Sequence, residues 1–341
     1  MGGSSDRAER AAGFASPSLA PYRVHIVRPD AVVHDPYVLA SIRFGPVPEE
    51  TADPRIVPVP LPALDGQEHV EVWRSTVPVR SGWADGVGWG ENGSVLVAHW
   101  WADGVEREAL ADLTYDIYRR AMQLSVAHGY PYVLRMWNVV PGLNQGMGDA
   151  EGYKQFCLGR GRAFAETLPP GMVLPAASCV GTSGSRLFVQ WLASATPGVA
   201  IENSRQVSAF DYPRCYGPRS PSFSRAILHR WDDATYLLAS GTASIVGHET
   251  RHPGDAGRQL DETLENLQHL RTGAGIGEQK GGELSLVRVY LRHAGDLAMI
   301  RRRLAHQVDR SVPAIFLRAD ICRRPLVLEI EAVWRVVHSI D

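Results

Sequence analysis

Tyr132-Val-Leu-Arg-Met-Trp-Asn-Val-Val140 and Leu284-Ser-Leu-Val-Arg-Val-Tyr-Leu-Arg292 are the two stretches that decide the fold. Both are short runs rich in β-branched, aromatic and leucine residues, and both read as strands. Working outward, the same succession surrounds each of them. Around the first lie a strand at Ser94 to Trp101 and a helix over Val105 to His128, whose Leu110, Leu113, Ile117, Ala121 and Leu124 keep the spacing of one buried face. A helix over Asp149 to Leu168 follows, then strands at Val173 to Cys179 and Arg186 to Ala193. Around the second lie strands at Ala226 to Trp231 and Thr235 to Val246 and a helix over Arg258 to Leu270 on Leu260, Leu264 and Leu267. Next come a helix over Asp296 to Val308 on Leu297, Ile300, Leu304 and Val308, and strands at Pro313 to Ala319 and Leu326 to Val333. Two copies of one α+β pattern at a period of about 140 residues imply an internal duplication into two tandem halves, each a mixed sheet covered by two helices. The expected division is a loose tail over 1–20, an N-terminal domain over 21–200 and a C-terminal domain over 201–341. Pro and Gly punctuate residues 44 to 92 so densely that only short strands and loops are expected there.

Composition excludes several classes of function. Of 341 residues 45% are apolar, and Lys+Arg 35 against Asp+Glu 37 leaves no basic field for a phosphate backbone, so no nucleic-acid partner is expected. No run approaches the roughly 18 to 20 apolar residues of a membrane span, and the start of the chain does not resemble a signal peptide. A cytoplasmic protein is therefore expected. Cys157, Cys179, Cys215 and Cys322 are scattered without C-x-x-C spacing and read as free thiols. His248 and His252 lie four apart in a loop without the glutamate of a metalloprotease, so no metal is assigned. Gly273-Ala-Gly-Ile-Gly277 follows a helix and is no dinucleotide loop, and Gly181-Thr-Ser-Gly184 reads as a hairpin turn.

Three features could carry chemistry. Tyr153, Phe156, Arg160 and Phe164 share one face of the Asp149 to Leu168 helix, where a buried guanidinium needs an anion or must reach the rim. In Pro325-Leu-Val-Leu-Glu-Ile-Glu-Ala-Val-Trp334, Glu329 and Glu331 point to one side of an otherwise apolar strand. Burial there raises a carboxyl pKa and suits a general acid; a sheet-edge or salt-bridged glutamate is the other reading. Ile201 to Phe223 sets Arg205, Arg214, Arg219, Tyr212 and Tyr216 among Pro and Gly without any period. It is either a solvated linker or the lining of an anion pocket.

With those residues in view the chain resembles the chorismatases, which remove the enolpyruvyl group of chorismate. The likeness rests on Arg135-Met-Trp-Asn138, on Tyr153 to Phe164, on Ile201 to Phe223, and on Ser240 to Asp255 together with Asp320 to Ala332. It covers most of the chain from about residue 130 onward, and the first 90 residues offer no match. The resemblance implies halves of the YjgF/RidA (chorismate-mutase-like) fold, with the active site centred in the C-terminal half. The arginine that those imine deaminases carry near the end is missing from Val312-Pro-Ala-Ile315, so simple imine hydrolysis is disfavoured.

By the same resemblance Glu329 is the proton donor, while Tyr153, Arg160, Tyr212 and Tyr216, with Arg205 or Arg292, grip carboxylates and the ring hydroxyl. No cofactor is implied. Ser240-Gly241-Thr242 and Asp320-Ile-Cys322-Arg323 are similar to the subgroup that forms 3-hydroxybenzoate and pyruvate, where hydrolytic relatives carry alanines. That gives Gly241 and Cys322 a part in the reaction course: a glycine leaves space for the ring, and a thiol can give or take a proton. The alternatives are hydrolysis to a dihydroxycyclohexadiene carboxylate, a mixed 3- and 4-hydroxybenzoate product, or a non-catalytic carboxylate binder on the same scaffold. Two halves that bury each other's sheets would also make a monomer.

Overall fold

The computed structural model describes residues 20–27, 35–45, 52–276 and 282–338, so the expected tail lies, apart from Ala20, outside the described residues. Strands β1 (Tyr22–Val27), β2 (Val38–Phe44), β3 (Ile56–Val59) and β4 (Val70–Ser75) form a separate sheet in the order β1-β4-β2-β3. Short strands such as β3 and β4 are expected between residues 44 and 92, but not their assembly with β1 and β2 into a sheet of their own.

The first half is built from β5 (Arg80–Ala84), β6 (Val87–Glu91), β7 (Val95–Ala102), α1 (Leu110–Ala127), β8 (Tyr132–Pro141), α2 (Gly152–Thr167), β9 (Ala176–Thr182) and β10 (Leu187–Ser194). The second repeats it with β11 (Val199–Ile201), β12 (Ala226–Arg230), β13 (Ala234–Ala239), α3 (Ala256–Gly273), β16 (Gly282–Leu291), α4 (Leu297–Leu304), β17 (Ala314–Arg318) and β18 (Leu328–Val337). Between β13 and α3 lies a two-residue hairpin, β14 (Ile245–Val246) and β15 (Glu249–Thr250). The sheet orders, β5-β6-β7-β10-β8-β9 and β11-β12-β13-β18-β16-β17, correspond strand for strand, and in each only the last pair is parallel. The expected fold class is therefore the observed one.

Burial explains why these strands lack polar alternation. Every residue of β10, Leu-Phe-Val-Gln-Trp-Leu-Ala-Ser, is buried, because both faces of its sheet are covered. Val189 and Trp191 face α1 and α2, while Phe188 and Leu192 join a central core with Leu39, Ile42 and Trp73 of the N-terminal sheet and Tyr236 and Leu238 of the second half. Helices α3 and α4 cover the outer face of the second sheet through Leu260, Leu267, Ile300 and Leu304. Among the described residues no helix is long and apolar enough to cross a membrane.

Local chemistry moves some expected boundaries. Helix α3 begins at Ala256 because Asp255 accepts a hydrogen bond from Arg258 N (3.0 Å). The strand expected over Thr235 to Val246 ends at Ala239, where the chain leaves the sheet. Gly181 to Gly184 is not a hairpin turn, since β9 pairs in parallel with β8 and not with β10.

Candidate active site

Strand β9, at the edge of the first sheet, is stitched to the second half. Gly181 N donates to Asp320 O (2.7 Å) and Asp320 N to Gly181 O (3.0 Å). Ala177 N donates to Ser240 Oγ (2.8 Å), and Gly241 N lies 3.2 Å from Ala177 O and 3.0 Å from Ser178 Oγ. On this seam a cavity of about 380 Å³ opens, with both halves in its lining. The first half supplies Tyr153 and Arg160 of α2 and Ala177, Ser178 and Cys179 of β9; Glu329 comes from β18. Most of the lining comes from the C-terminal half, with α2 and β9 of the first half completing it.

Beyond Ala239 the chain is held against β18 by two bonds, Thr242 N to Ile330 O (2.9 Å) and Ile330 N to Thr242 O (2.8 Å). Gly241 therefore stands beside the Glu329 side chain, and a Cβ there would lie 1.8 Å from Glu329 Oε1. Glu329 is 4% exposed and makes no ion pair among the described residues. Burial first, then the adjacent Glu331, push its carboxyl up to about 8 against the pull of Arg135. It is a protonated acid at neutral pH.

Glu331, two residues along the same face, is in the opposite state. It accepts from Trp137 Nε1 (2.9 Å), Tyr290 OH (2.8 Å) and Arg288 Nη1 (3.2 Å), and Arg135 Nη2 stands at 3.2 Å. Burial opposes its ionisation, but Arg135 and Arg288 outweigh that and hold it below the usual carboxylate range. Two carboxyls pushed apart in this way are the arrangement of an acid and its fixed counter-charge.

Lys154 at the cavity pairs with Glu151 (3.8 Å), but the guanidiniums of the lining have no carboxylate partner among the described residues. Arg160 is 1% exposed, donates from Nη2 to Cys157 Sγ (3.6 Å) and interacts with the Tyr118 hydroxyl, and its Nε has no partner. Its guanidinium lies over the rings of Phe156 (5.1 Å) and Phe223 (5.8 Å). A buried charge held by a thiol, a phenol and aromatic faces but no carboxylate is costly, and an anion entering the cavity would relieve it. Arg225 donates from Nη2 to Val207 O and to Tyr212 OH, both at 2.8 Å, and its Nε is likewise free of partners. Arg323 donates to His248 O (2.7 Å) and stacks 3.9 Å from the centre of the Tyr216 ring.

Burial raises the Tyr153 phenol well above its ordinary value; burial and then Glu329 push the Cys322 thiol up to about 12. Both stay protonated at neutral pH, so Cys322 can donate a hydrogen bond but is no thiolate base. All four cysteines are free, and Cys179 and Cys215 also line the cavity.

Tyr153, Arg160, Tyr212, Tyr216, Gly241, Cys322 and Glu329 are brought together, but two of the expected clamps are not. Arg205 turns to α3, donating to Asn266 Oδ1 (2.7 Å) and pairing with Glu262 and Glu265, so its charge is already neutralised. Arg292 pairs with Asp320 Oδ1 (2.6 Å) and donates to Asn144 Oδ1 and to the carbonyls of Leu326, Ile321 and Arg323, bracing the 320–326 loop. His252 pairs with Glu262, and His248 Nδ1 lies 3.2 Å from Tyr216 OH. Among the described residues no group of three or more His, Cys, Asp or Glu could hold a metal. Sequence reasoning missed Arg225 and Ser178. Arg225 lies just past the Arg- and Tyr-rich segment, and nothing in the sequence says that its guanidinium stays unpaired.

A chorismatase from Streptomyces hygroscopicus is 34% identical over 282 residues, covering 79% of this chain and 80% of that protein. The chain belongs to the chorismatase family. Residues 71–193 match the family described as chorismatase FkbO/Hyg5-like, N-terminal. A relative named 3-hydroxybenzoate synthase, also from S. hygroscopicus, is 33% identical over 285 residues, 80% of this chain and 83% of its own length. The crystal structure of a chorismatase superposes with a TM-score of 0.79 at 28% identity, covering 93% of this chain and 99% of that one. The blocks on which the resemblance rests have a physical reading in this structure. Arg135 and Trp137 of the Arg135-Met-Trp-Asn138 block contact Glu331, and Asn138 donates to Ser178 O.

Proposed function

We propose that the protein converts chorismate to 3-hydroxybenzoate and pyruvate without a cofactor. The observation that carries this reading is a protonated, ion-pair-free carboxyl, Glu329, in a cavity whose guanidiniums lack carboxylate partners. Chorismate brings two carboxylates and one proton-accepting vinyl ether, which matches that inventory. Arg160 with Tyr153 takes one carboxylate, and Arg225 and Arg323 with Tyr212 and Tyr216 take the other.

Glu329 protonates the vinyl CH2, and the enolpyruvyl group becomes an oxocarbenium whose ether oxygen can leave. The C4 hydroxyl oxygen then displaces pyruvate at C3 and returns its proton to Glu329. The resulting ring epoxide opens at C4 and loses the hydrogen at C3 as the ring becomes aromatic, while its oxygen takes up a proton. No water is consumed.

The test is the product profile after incubation with chorismate in oxygen-18 water. 3-Hydroxybenzoate with no solvent oxygen in the ring is expected. A non-aromatic diol as main product would make the enzyme hydrolytic, substantial 4-hydroxybenzoate would make it a mixed producer, and binding without turnover would make it a carboxylate binder.

A further inference from the structure

Behind Glu329 runs a buried chain of four charges drawn from all three large sheets. Glu71 of β4, fully buried, holds Arg288 of β16 through both of its oxygens, with Nη2 at 2.6 and 2.7 Å and Nε at 2.9 Å, and also accepts from Trp73 Nε1 (2.7 Å). Arg288 reaches on to Glu331 at 3.2 Å, and Glu331 is paired with Arg135 of β8. Two anions and two cations sum to zero. Glu329 is the fifth ionisable member of this buried region, and its ionisation would leave the region with one uncompensated negative charge.

Outside that chain, several of the side chains around it are neutral, and Arg135 is the cation that pulls on its carboxyl. Tyr290, opposite Glu329 in the strand register, donates its hydroxyl to Glu331. Cys179 of β9 and Cys322 of the preceding loop are neutral thiols, and Tyr153 of α2 is a neutral phenol. Arg160, Arg225 and Arg323 face the cavity, where a substrate carboxylate would neutralise them.

We propose that Glu71, a residue of the N-terminal sheet far along the chain from the cavity, is a positioning residue for the reaction: through Arg288 and Glu331 it closes the charge balance that keeps Glu329 protonated. The inference rests on the reading of Glu329 as the acid. It gives the otherwise unassigned N-terminal sheet a part in the chemistry besides closing the core.

The experiment titrates the Glu329 carboxyl directly in the ligand-free, full-length protein, by infrared difference spectroscopy of its protonated C=O band, assigned with Glu329→Gln. Glu71→Gln leaves the network at +1, so the midpoint should fall by about one pH unit, with the high-pH limb of kcat/KM falling in parallel. Glu71→Gln/Arg288→Gln restores neutrality and should return the midpoint toward that of the parent, which a merely structural role for Glu71 would not do. Arg135→Gln leaves the network at −1 and should raise the midpoint, which keeps the test open should Glu71→Gln not fold. An unmoved midpoint in a folded Glu71→Gln or Arg135→Gln protein overturns the proposal. A midpoint that moves while the kcat/KM limb stays in place supports the network and overturns the acid role on which it rests.

Discussion

Gly241 and Glu329 are in contact with room for a hydrogen and no more: a methyl on Gly241 would lie 1.8 Å from Oε1 and 2.6 Å from Cδ of the carboxyl. The space expected for the substrate ring is taken up by the acid itself. Gly241→Ala should therefore force the Glu329 carboxyl off its position and lower kcat by on the order of 10²-fold, the usual scale of a general acid. Adding Cys322→Ala should move the remaining product toward the diol. Product chromatography checks both, and an unchanged rate and product would mean that the glycine does not position the acid.

The proposed reaction uses Glu329 in its protonated form, so kcat/KM should be level below pH 8 and fall about tenfold per pH unit above it. The same proton is linked to stability. The folded chain keeps it up to about pH 8, whereas the unfolded carboxyl releases it near 4.5, so this contribution is whole below 4.5 and is lost between 4.5 and 8. Glu329→Gln should remove the loss, which runs at up to about 1.4 kcal/mol per pH unit. Denaturant titrations at pH 5 and pH 8.5 should find the variant more stable than the parent only at the higher pH.

The proposed clamp role gives Arg160 a charge kept for a ligand at the expense of stability. Arg160→Met keeps the stem and removes the unpaired charge, so its Tm should equal or exceed that of the parent while KM for chorismate rises by on the order of 10²-fold. Calorimetry and steady-state kinetics separate the two effects; a lower Tm with unchanged KM would remove Arg160 from the clamp.

Arg205 predicts the converse. Its partners Asn266, Glu262 and Glu265 lie on α3, so Arg205→Ala should cost about 1 to 3 kcal/mol of stability and leave KM near that of the parent. A large rise in KM at unchanged Tm would return Arg205 to the cavity.

The inner faces of both six-stranded sheets already pack against the N-terminal sheet in one core. Light scattering should give the mass of a single chain; a stable trimer would contradict this.

What the sequence showed best was periodicity. Leu110, Ile117 and Ala121 on α1 and Leu260 and Leu267 on α3 are buried where a 3.6-residue repeat places them, and the duplication could be seen because it preserves element order. The N-terminal sheet was hidden because β3 and β4 are only four and six residues long, in a stretch punctuated by Pro and Gly that carries no period. In the site, Glu329 stood out as an acid on an apolar strand, and Arg160 as a cation in an apolar stripe. Arg205 misled because composition does not reveal partners: α3 offers it Glu262 and Glu265, which become its neighbours only on folding. The role of Glu71 was illegible for the same reason, since Arg288 is 217 residues away along the chain.

The seam beneath the cavity also constrains how such a chain can change. Its acid sits on one half and Arg160 on the other, joined by backbone bonds between β9 and the segments around Ser240 and Asp320. The halves, though copies in architecture, cannot drift independently or be exchanged as cassettes between relatives. A recombined enzyme would inherit Gly241 and Glu329 from one parent and Ser178, against which they are set, from the other. The backbone bonds across the seam thus bind the two halves into one hereditary unit.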